Sequence, residues 1–207
     1  MKIRRTANAG ILLEADGLSI LIDGVSGRVE PYMETPPEIK EELIRNFPDV
    51  VLFTHEHPDH YDGDFAKFYK EKTLRSVYGP EVLFSERFGS VNISNIPTRH
   101  IGKFEVAHTS FIIEGSKCVW FMGDASPLQI RKWTQLPKPQ VVIAPYAYAT
   151  GSGWQICKEL GAKTVVLLHL PDRCNDPYGL WNAVAQTVGE DTCPKLRIPQ
   201  MGEIIRI

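Results

Sequence analysis

His55-Glu56-His57-Pro58-Asp59-His60 packs three imidazoles and the Asp59 carboxylate into one short turn, and three of the chain's six histidines stand in it. Neutral imidazole and carboxylate are the usual ligands of zinc and similar divalent ions. Neighbouring side chains diverge, so four donors this close in sequence do not converge on one ion. The run therefore predicts two ions, with His55 and His57 on one and Asp59 and His60 on the other. A solvated, histidine-rich surface turn has no need of this residue order.

The flanks place the run in a fold. Residues 50–53, Val-Val-Leu-Phe, form a short apolar stretch that reads as a strand buried on both faces. The strand ends at Thr54, so the histidines lie on the loop leaving its C-terminal end, where α/β sheets place ligands. Upstream, 9–14 and 18–23 read as two strands joined by a hairpin at Asp16-Gly17. Thr35 is the expected cap of a helix that starts with Pro36 and Pro37 and runs to about Asn46. Downstream, the pattern predicts helices at 63–72, 80–88, 127–134, 154–160 and 178–188. It predicts strands at 74–78, 91–96, 103–108, 111–114, 118–122, 140–144, 164–168 and 203–207. Hairpins first and βα alternation later imply an α/β (α+β) fold with two packed sheets and helices outside, a four-layer αββα sandwich.

Composition sets the outer limits. A chain of 207 residues with 43% hydrophobic content suits one domain, 1–207, with a substantial core. A net charge of -2, with scattered basic residues, gives no footprint for nucleic acid and favours a small-molecule substrate. The start Met1-Lys2-Ile3-Arg4-Arg5 has the charge of a signal peptide, but Glu14 and Asp16 interrupt the apolar stretch behind it. No stretch is long enough to span a membrane. Cys118, Cys157, Cys174 and Cys193 are widely spaced, which predicts reduced thiols in a cytoplasmic protein, with Cys118 and Cys157 in the core and Cys174 near the site.

Later strands also end in metal-capable residues. The strand near 91–96 leads to His100, 118–122 leads to Gly123-Asp124, and 164–168 leads to His169. Strand ends from distant parts of a chain can meet at one sheet edge, and Gly123 lets the backbone come close enough for Asp124 to bridge two ions. His100 and His108 both lie where the third ligand of the first ion is needed. His100 follows the strand end and is the preferred ligand. His108 is expected as a wall or proton-handling residue.

These residues resemble the metallo-β-lactamase fold superfamily: the strand ending at Asp23, the run His55-x-His57-x-Asp59-His60, then His100, Asp124 and His169 in order. The resemblance covers essentially the whole chain. The stretches 8–14 and 21–24 are similar to the compact branch that includes ascorbate-phosphate-lactonase-like proteins. The resemblance implies His55, His57 and His100 on a first ion and Asp59, His60 and His169 on a second, with Asp124 touching both and Asp23 holding the loop beneath. The length leaves no room for the clamping domain of the family's nucleases. His57 stands where the family's di-iron oxygen reductases carry Glu.

The implied activity is binuclear metal-dependent hydrolysis, in which a metal-bridging hydroxide attacks the ester, lactone or phosphodiester of a small substrate. Asp59 would also orient the nucleophile. The N/O donor set without thiolate fits zinc, with manganese or iron as alternatives. A nuclease, or a metal-binding member without catalysis, are the competing readings. A serine hydrolase is excluded, because Gly151-Ser152-Gly153 does not match Gly-x-Ser-x-Gly. Substrate contacts are expected from Arg28 and Tyr32, from Tyr61, and from the Tyr146–Tyr148 stretch. The Gly-Ser-Gly before the 154–160 helix is a candidate anion site, and the aromatic loops are compatible with a homo-oligomer.

Overall fold

The computed structural model describes residues 1–102, 105–130, 133 and 135–207. Two β-sheets stack face to face. The first contains β1 (Lys2–Arg5), β2 (Ile11–Ala15), β3 (Leu18–Ile22), β4 (Val50–Leu52), β5 (Val77–Tyr78) and β13 (Ile204–Arg206), in the order β13-β1-β2-β3-β4-β5. The second contains β6 (Ser85–Phe88), β7 (Val91–Pro97), β8 (Thr109–Glu114), β9 (Cys118–Phe121), β10 (Val141–Pro145), β11 (Thr164–Leu168) and β12 (Lys195–Arg197), in the order β12-β11-β10-β9-β8-β7-β6. Helices α1 (Pro37–Arg45) and α2 (Gly63–Thr73) accompany the first sheet. Helices α3 (Pro127–Ile130), α4 (Gly153–Glu159) and α5 (Leu180–Val188) accompany the second.

Side-chain alternation makes this a four-layer αββα sandwich. Ile20 and Ile22 of β3, with Val50 and Leu52 of β4, face the second sheet, where Ile143, Val166, Phe111 and Phe121 meet them. The residues between them, Leu21 and Val51, point the other way and pack on Ile39 and Leu43 of α1 and Phe65 and Tyr69 of α2. In the second sheet, Val142, Ala144, Val165 and Leu167 point outward onto Trp154 and Ile156 of α4 and Val184 of α5. Strands buried on both faces must be apolar at every position, which is why 50–53 shows no alternation. Each such Val, Leu or Ile contributes about 1.5–3 kcal/mol by leaving water.

The hairpin forms as expected, with Ala15 paired to Leu18 across Asp16-Gly17. Both turn residues have positive φ, 51° and 84°, as a two-residue hairpin loop requires. Several expectations are corrected. Thr35 does not cap α1: Pro36 precedes the helix without a side-chain cap, and Thr35 instead bonds Ser26 through both its N–H and its hydroxyl. Part of the expected 80–88 helix is strand β6, paired antiparallel with β7 around Gly89-Ser90. Tertiary pairing overrides local preference there. The 74–78 strand shortens to β5, because Leu74 takes the left-handed conformation, φ 59°, that ends α2. Of the expected 103–108 strand, Lys103 and Phe104 lie outside the described residues and 105–108 are not strand. Of the 127–134 helix, Pro127–Ile130 is helical, and Arg131, Lys132 and Thr134 lie outside the described residues. Strands β1 and β12 are additions to the sequence reading.

Among the described residues, no helix is long and apolar enough to cross a membrane. All four cysteines are free; Cys157 is buried and Cys118 half-buried in the second outer core, whereas Cys174 and Cys193 are exposed.

Candidate metal centre

The site forms where strand ends from both sheets meet. Parallel pairing of Ile22 with Leu52 brings the end of β3 beside the end of β4. Asp23 then reaches under the histidine turn. Its Oδ1 accepts from the Thr54 N–H at 2.7 Å, and its Oδ2 accepts from the Thr54 hydroxyl at 2.6 Å and from His60 Nδ1 at 2.8 Å. The Thr54 hydroxyl has one hydrogen, and the carboxylate claims it. Its contact with His55 Nδ1 at 3.0 Å is therefore a bond donated by the ring. Asp23 thus fixes two imidazoles, His60 directly and His55 through Thr54. Each ring therefore carries a hydrogen on Nδ1, and its Nε2 is turned towards the cluster.

The second sheet supplies the remaining donors one strand end at a time. Strands β9, β10 and β11 are parallel, so Asp124, Tyr146 and His169 leave the same edge. His100 is tied to the Asp124 segment by backbone bonds, Ile101 N–H to Asp124 O at 2.7 Å and Ser126 N–H to Arg99 O at 2.7 Å. Its own Nδ1 donates to Ile101 O, which directs Nε2 inward. Gly123 has φ 53°, and a Cβ there would lie 2.6 Å from Thr54 Cγ2. Two further backbone bonds close the seam between sheets: Thr109 N–H to Thr54 O at 2.9 Å and His169 N–H to Asn8 O at 3.1 Å.

The donors fall into three overlapping triads: His55, His57 and His100; His55, His60 and Asp124; and Asp59, His60 and His169. Within each triad the ligand atoms lie within 4.8 Å of one another. Asp124 Oδ2 sits between the outer two, 3.4 Å from His100 Nε2, 3.6 Å from His60 Nε2 and 3.5 Å from His169 Nε2. Asp59 Oδ2 is 3.1 Å from His169 Nε2 and 3.9 Å from His60 Nε2. His57 is half-buried and opens the cluster towards solvent, while the other six donors are buried.

Electrostatics bear on whether cations suit this cluster. Burial opposes charge on Asp124, yet His169, His60 and His100 hold its carboxyl well below the usual carboxylate range. Burial likewise opposes charge on His60, but Asp124 and Asp23 raise it well above the ordinary histidine value. Burial and the neighbouring His60 and His108 push His55 down. His55 Nε2 lies 2.9 Å from His57 Nδ1, two ring nitrogens converging in a part-buried place. His60 Nε2 and Asp124 Oδ1 are buried without a hydrogen-bond partner among the described residues. Each such atom costs about 1–3 kcal/mol if left unsatisfied, and a divalent cation between the triads would satisfy both. The donor set fits divalent metal binding.

His108 lies in the wall, its ring 5.0 Å from that of His55, but it belongs to none of the triads. Its Nε2 accepts from the Asp124 N–H at 2.9 Å. Nδ1 therefore carries the hydrogen and donates to Thr98 Oγ1 at 2.6 Å, and the chain continues through Ser110 to Met122 O. Burial pushes its pKa down to about 3. With both nitrogens committed, the expected proton-handling role gives way to holding Asp124 in place.

Other expected contacts divide. Arg28 is ion-paired with Glu30 at the exposed surface. Tyr61 stacks on Phe53 at 4.3 Å, and Tyr148 is fully buried in the outer core. A Cβ on Gly153 would lie 2.0 Å from Ala147 O, so that glycine serves close packing at the first residue of a seven-residue helix. Tyr32 does reach the site, its ring edge-on to His169 at 4.3 Å, and Tyr146 follows at 6.2 Å. Tyr178 interacts electrostatically with both phenols. The sequence reading passed over it; the usable signal was an aromatic residue in the loop leaving the last histidine. An apolar cavity of about 470 Å³, lined by Trp120, Trp133 and Ile156, lies on the outer helical face and holds none of these donors.

Fold and donor set together define a metallo-β-lactamase-type architecture. A family model described as a beta-lactamase superfamily domain matches residues 2–169, and the chain belongs to that superfamily. Its structure is similar to an isothiocyanate hydrolase from Delia radicum gut bacteria, with TM-score 0.70 and 20% identity over 100% of this chain and 99% of that one. It is also similar to a possible metal-dependent hydrolase from Veillonella parvula DSM 2008, with TM-score 0.75 and 16% identity over 100% and 99% of the two chains. A third likeness is to Igni18, a metallo hydrolase from Ignicoccus hospitalis, with TM-score 0.65 and 19% identity over 99% and 97%. At these identities the likeness is one of fold. No curated protein matches the chain.

Proposed function

We propose that this protein is a metal-dependent hydrolase that cleaves an ester, lactone or phosphodiester bond of a small substrate. His55, His57 and His100 would hold one divalent cation, Asp59, His60 and His169 a second, and Asp124 would touch both. Zinc suits this nitrogen and oxygen set best, with manganese or iron as alternatives. The observation that carries the reading is the overlap of the triads around Asp124 Oδ2 in a buried pocket. The hydrolase names of the fold neighbours support the same reaction class. Four free cysteines suit a reducing, cytoplasmic setting.

When bound, the cations would supply a nucleophilic water at neutral pH and a Lewis acid for the substrate oxygen. The chain's own residues do the remaining work. Asp23 fixes the ring orientations of His60, directly, and of His55, through Thr54. His108 holds the Asp124 backbone, so this carboxylate would need no reorganisation to meet a cation. Asp59 directs Oδ2 towards His169, and its second oxygen is assigned to orient the attacking water. The test is metal content per chain alongside a hydrolysis screen of lactones, esters and phosphodiesters. Metal-dependent turnover lost in His57→Ala supports catalysis, and full metal loading with no turnover of any probe contradicts it.

A further inference from the structure

The buried histidine donors of the centre are not all held alike. His60 Nδ1 donates to Asp23, His55 Nδ1 to Thr54 and His100 Nδ1 to Ile101 O. His169 Nδ1 is buried and has no hydrogen-bond partner among the described residues. A ligating imidazole is normally oriented by a bond from its second nitrogen. The placement of His169 therefore rests on ring contacts, such as the edge-on ring of Tyr32, and on its own backbone. That backbone is unusual. His169 has φ 57°, a left-handed conformation that a residue other than glycine keeps only where its surroundings determine it. Its N–H donates to Asn8 O at 3.1 Å.

Asn8 lies in the buried turn between β1 and β2. The turn is closed by Thr6 N–H and Ala7 N–H, which both donate to Gly10 O, at 3.0 and 3.3 Å. A Cβ on Gly10 would lie 1.8 Å from Asp23 O, so the turn is pressed against the Asp23 segment. Two of its carbonyls are gathered by Arg5, the last residue of β1. Arg5 Nε donates to Ala7 O, Nη2 to Asn8 O and Nη1 to Pro199 O, each at 3.2 Å. A guanidinium keeps its charge and carries its donors in a rigid fork, so it sets these three carbonyls relative to one another. Bonds from a charged donor are also stronger than neutral ones. Pro199 belongs to the connection between β12 and β13, which is fastened to the same residue by Gly202 N–H to Arg5 O at 2.9 Å and Arg5 N–H to Glu203 O at 3.1 Å. Asn8 O thus accepts from Arg5 on one side and from His169 on the other.

We propose that Arg5 is a positioning residue for the metal centre: through Asn8 O it holds the left-handed backbone of His169, and so the ring that would complete the Asp59-His60-His169 donor set. This rests on the two-cation reading above and adds a residue that contacts neither cation nor substrate. Asp23 does this work for His60 and His55 through side-chain bonds. Arg5 does it for His169 through the main chain, and ties the C-terminal connection to the same point. The donors His55, His57 and His100 have no bond in this chain of contacts, so loss of Arg5 should weaken one cation and spare the other.

The test is zinc affinity by chelator competition on the full-length protein in two backgrounds. His57→Ala is expected to keep the ion of Asp59, His60 and His169, and His169→Ala the ion of His55, His57 and His100. Arg5→Met should weaken zinc about 10–100-fold in the His57→Ala background and leave it unchanged in the His169→Ala background. Arg5→Lys, which can reach one carbonyl in place of three, should show a smaller loss in the same background alone, and it carries the test if Arg5→Met does not fold. Arg4→Met, the neighbour on β1, removes the ion pair with Glu42 and should change zinc affinity in neither background. Affinity unaffected by the Arg5 variants, a loss of equal size in both backgrounds, or a loss matched by Arg4→Met marks a role in the fold at large and overturns this inference alone. A wild type that takes up no zinc, or a His57→Ala protein that retains none, overturns the two-cation reading with it.

Discussion

The two sheets contribute to the centre in opposite ways. The first supplies four donors from a single turn, His55 to His60, held by one carboxylate beneath them, Asp23. The second supplies three, His100, Asp124 and His169, each from a different strand end and each fixed by backbone bonds or a neighbouring ring. The first half depends on one interaction hub, the second on the register of a whole sheet. A polar substitution under the turn should therefore change metal affinity with little effect on folding. A substitution at the strand ends should disturb geometry and stability together.

Removing Asp124 should have the largest effect, since its Oδ2 approaches donors of both outer triads. Asp124→Ala is expected to lower turnover by at least ~10³-fold and abolish stable binding of both ions, whereas His57→Ala should cost one equivalent. Equal metal loss in the two variants would break the distinction between a shared and a private ligand. Gly123→Ala combines a left-handed backbone with a clash against Thr54. It should lose about 1–3 kcal/mol in denaturant titration and also disturb the Thr54 bond to His55. Stability equal to wild type would mean that the close approach of the sheets is not needed.

Asp23→Asn retains the shape but weakens the hub. It should reduce metal affinity about 10–100-fold in competition titration with a chelator while the melting temperature of the metal-free protein changes little. The smallest effect should come from Asp62, outside the centre, which caps α2 through Phe65 N–H and pairs with Lys40. Asp62→Ala is expected to cost about 1 kcal/mol with metal content unchanged. Burial opposes charge on this carboxyl, but Lys40 and Phe65 N–H hold it below its ordinary value. Its contribution is therefore fully present above pH ~4 and is lost as pH falls through the folded value. A stability difference that grew on acidification would contradict that sign.

The same contrast explains what could be read from sequence. The turn was legible because its donors are contiguous, and the layer order because Ile20-Leu21-Ile22 and Val50-Val51-Leu52 are apolar on both faces. Asp124 and His169 were legible as polar ends of short apolar strands. The role of His108 was not, because it depends on a bond to the Asp124 N–H that only the sheet register creates. Strand β6 read as helix because residues 81–87 mix charged and apolar types without alternation, and only pairing with β7 defines them. The tyrosine wall was half legible. Tyr32 and Tyr146 lie on loops that leave strand ends at the site, whereas Tyr178 arrives through a turn with no periodic signal.

Metal content per chain, measured on protein purified without chelator, tests the central claim most directly. Two equivalents in the wild type, falling to one in His57→Ala and to none in Asp124→Ala, is the predicted result. Wild-type protein that neither carries metal nor takes up zinc or manganese would contradict it.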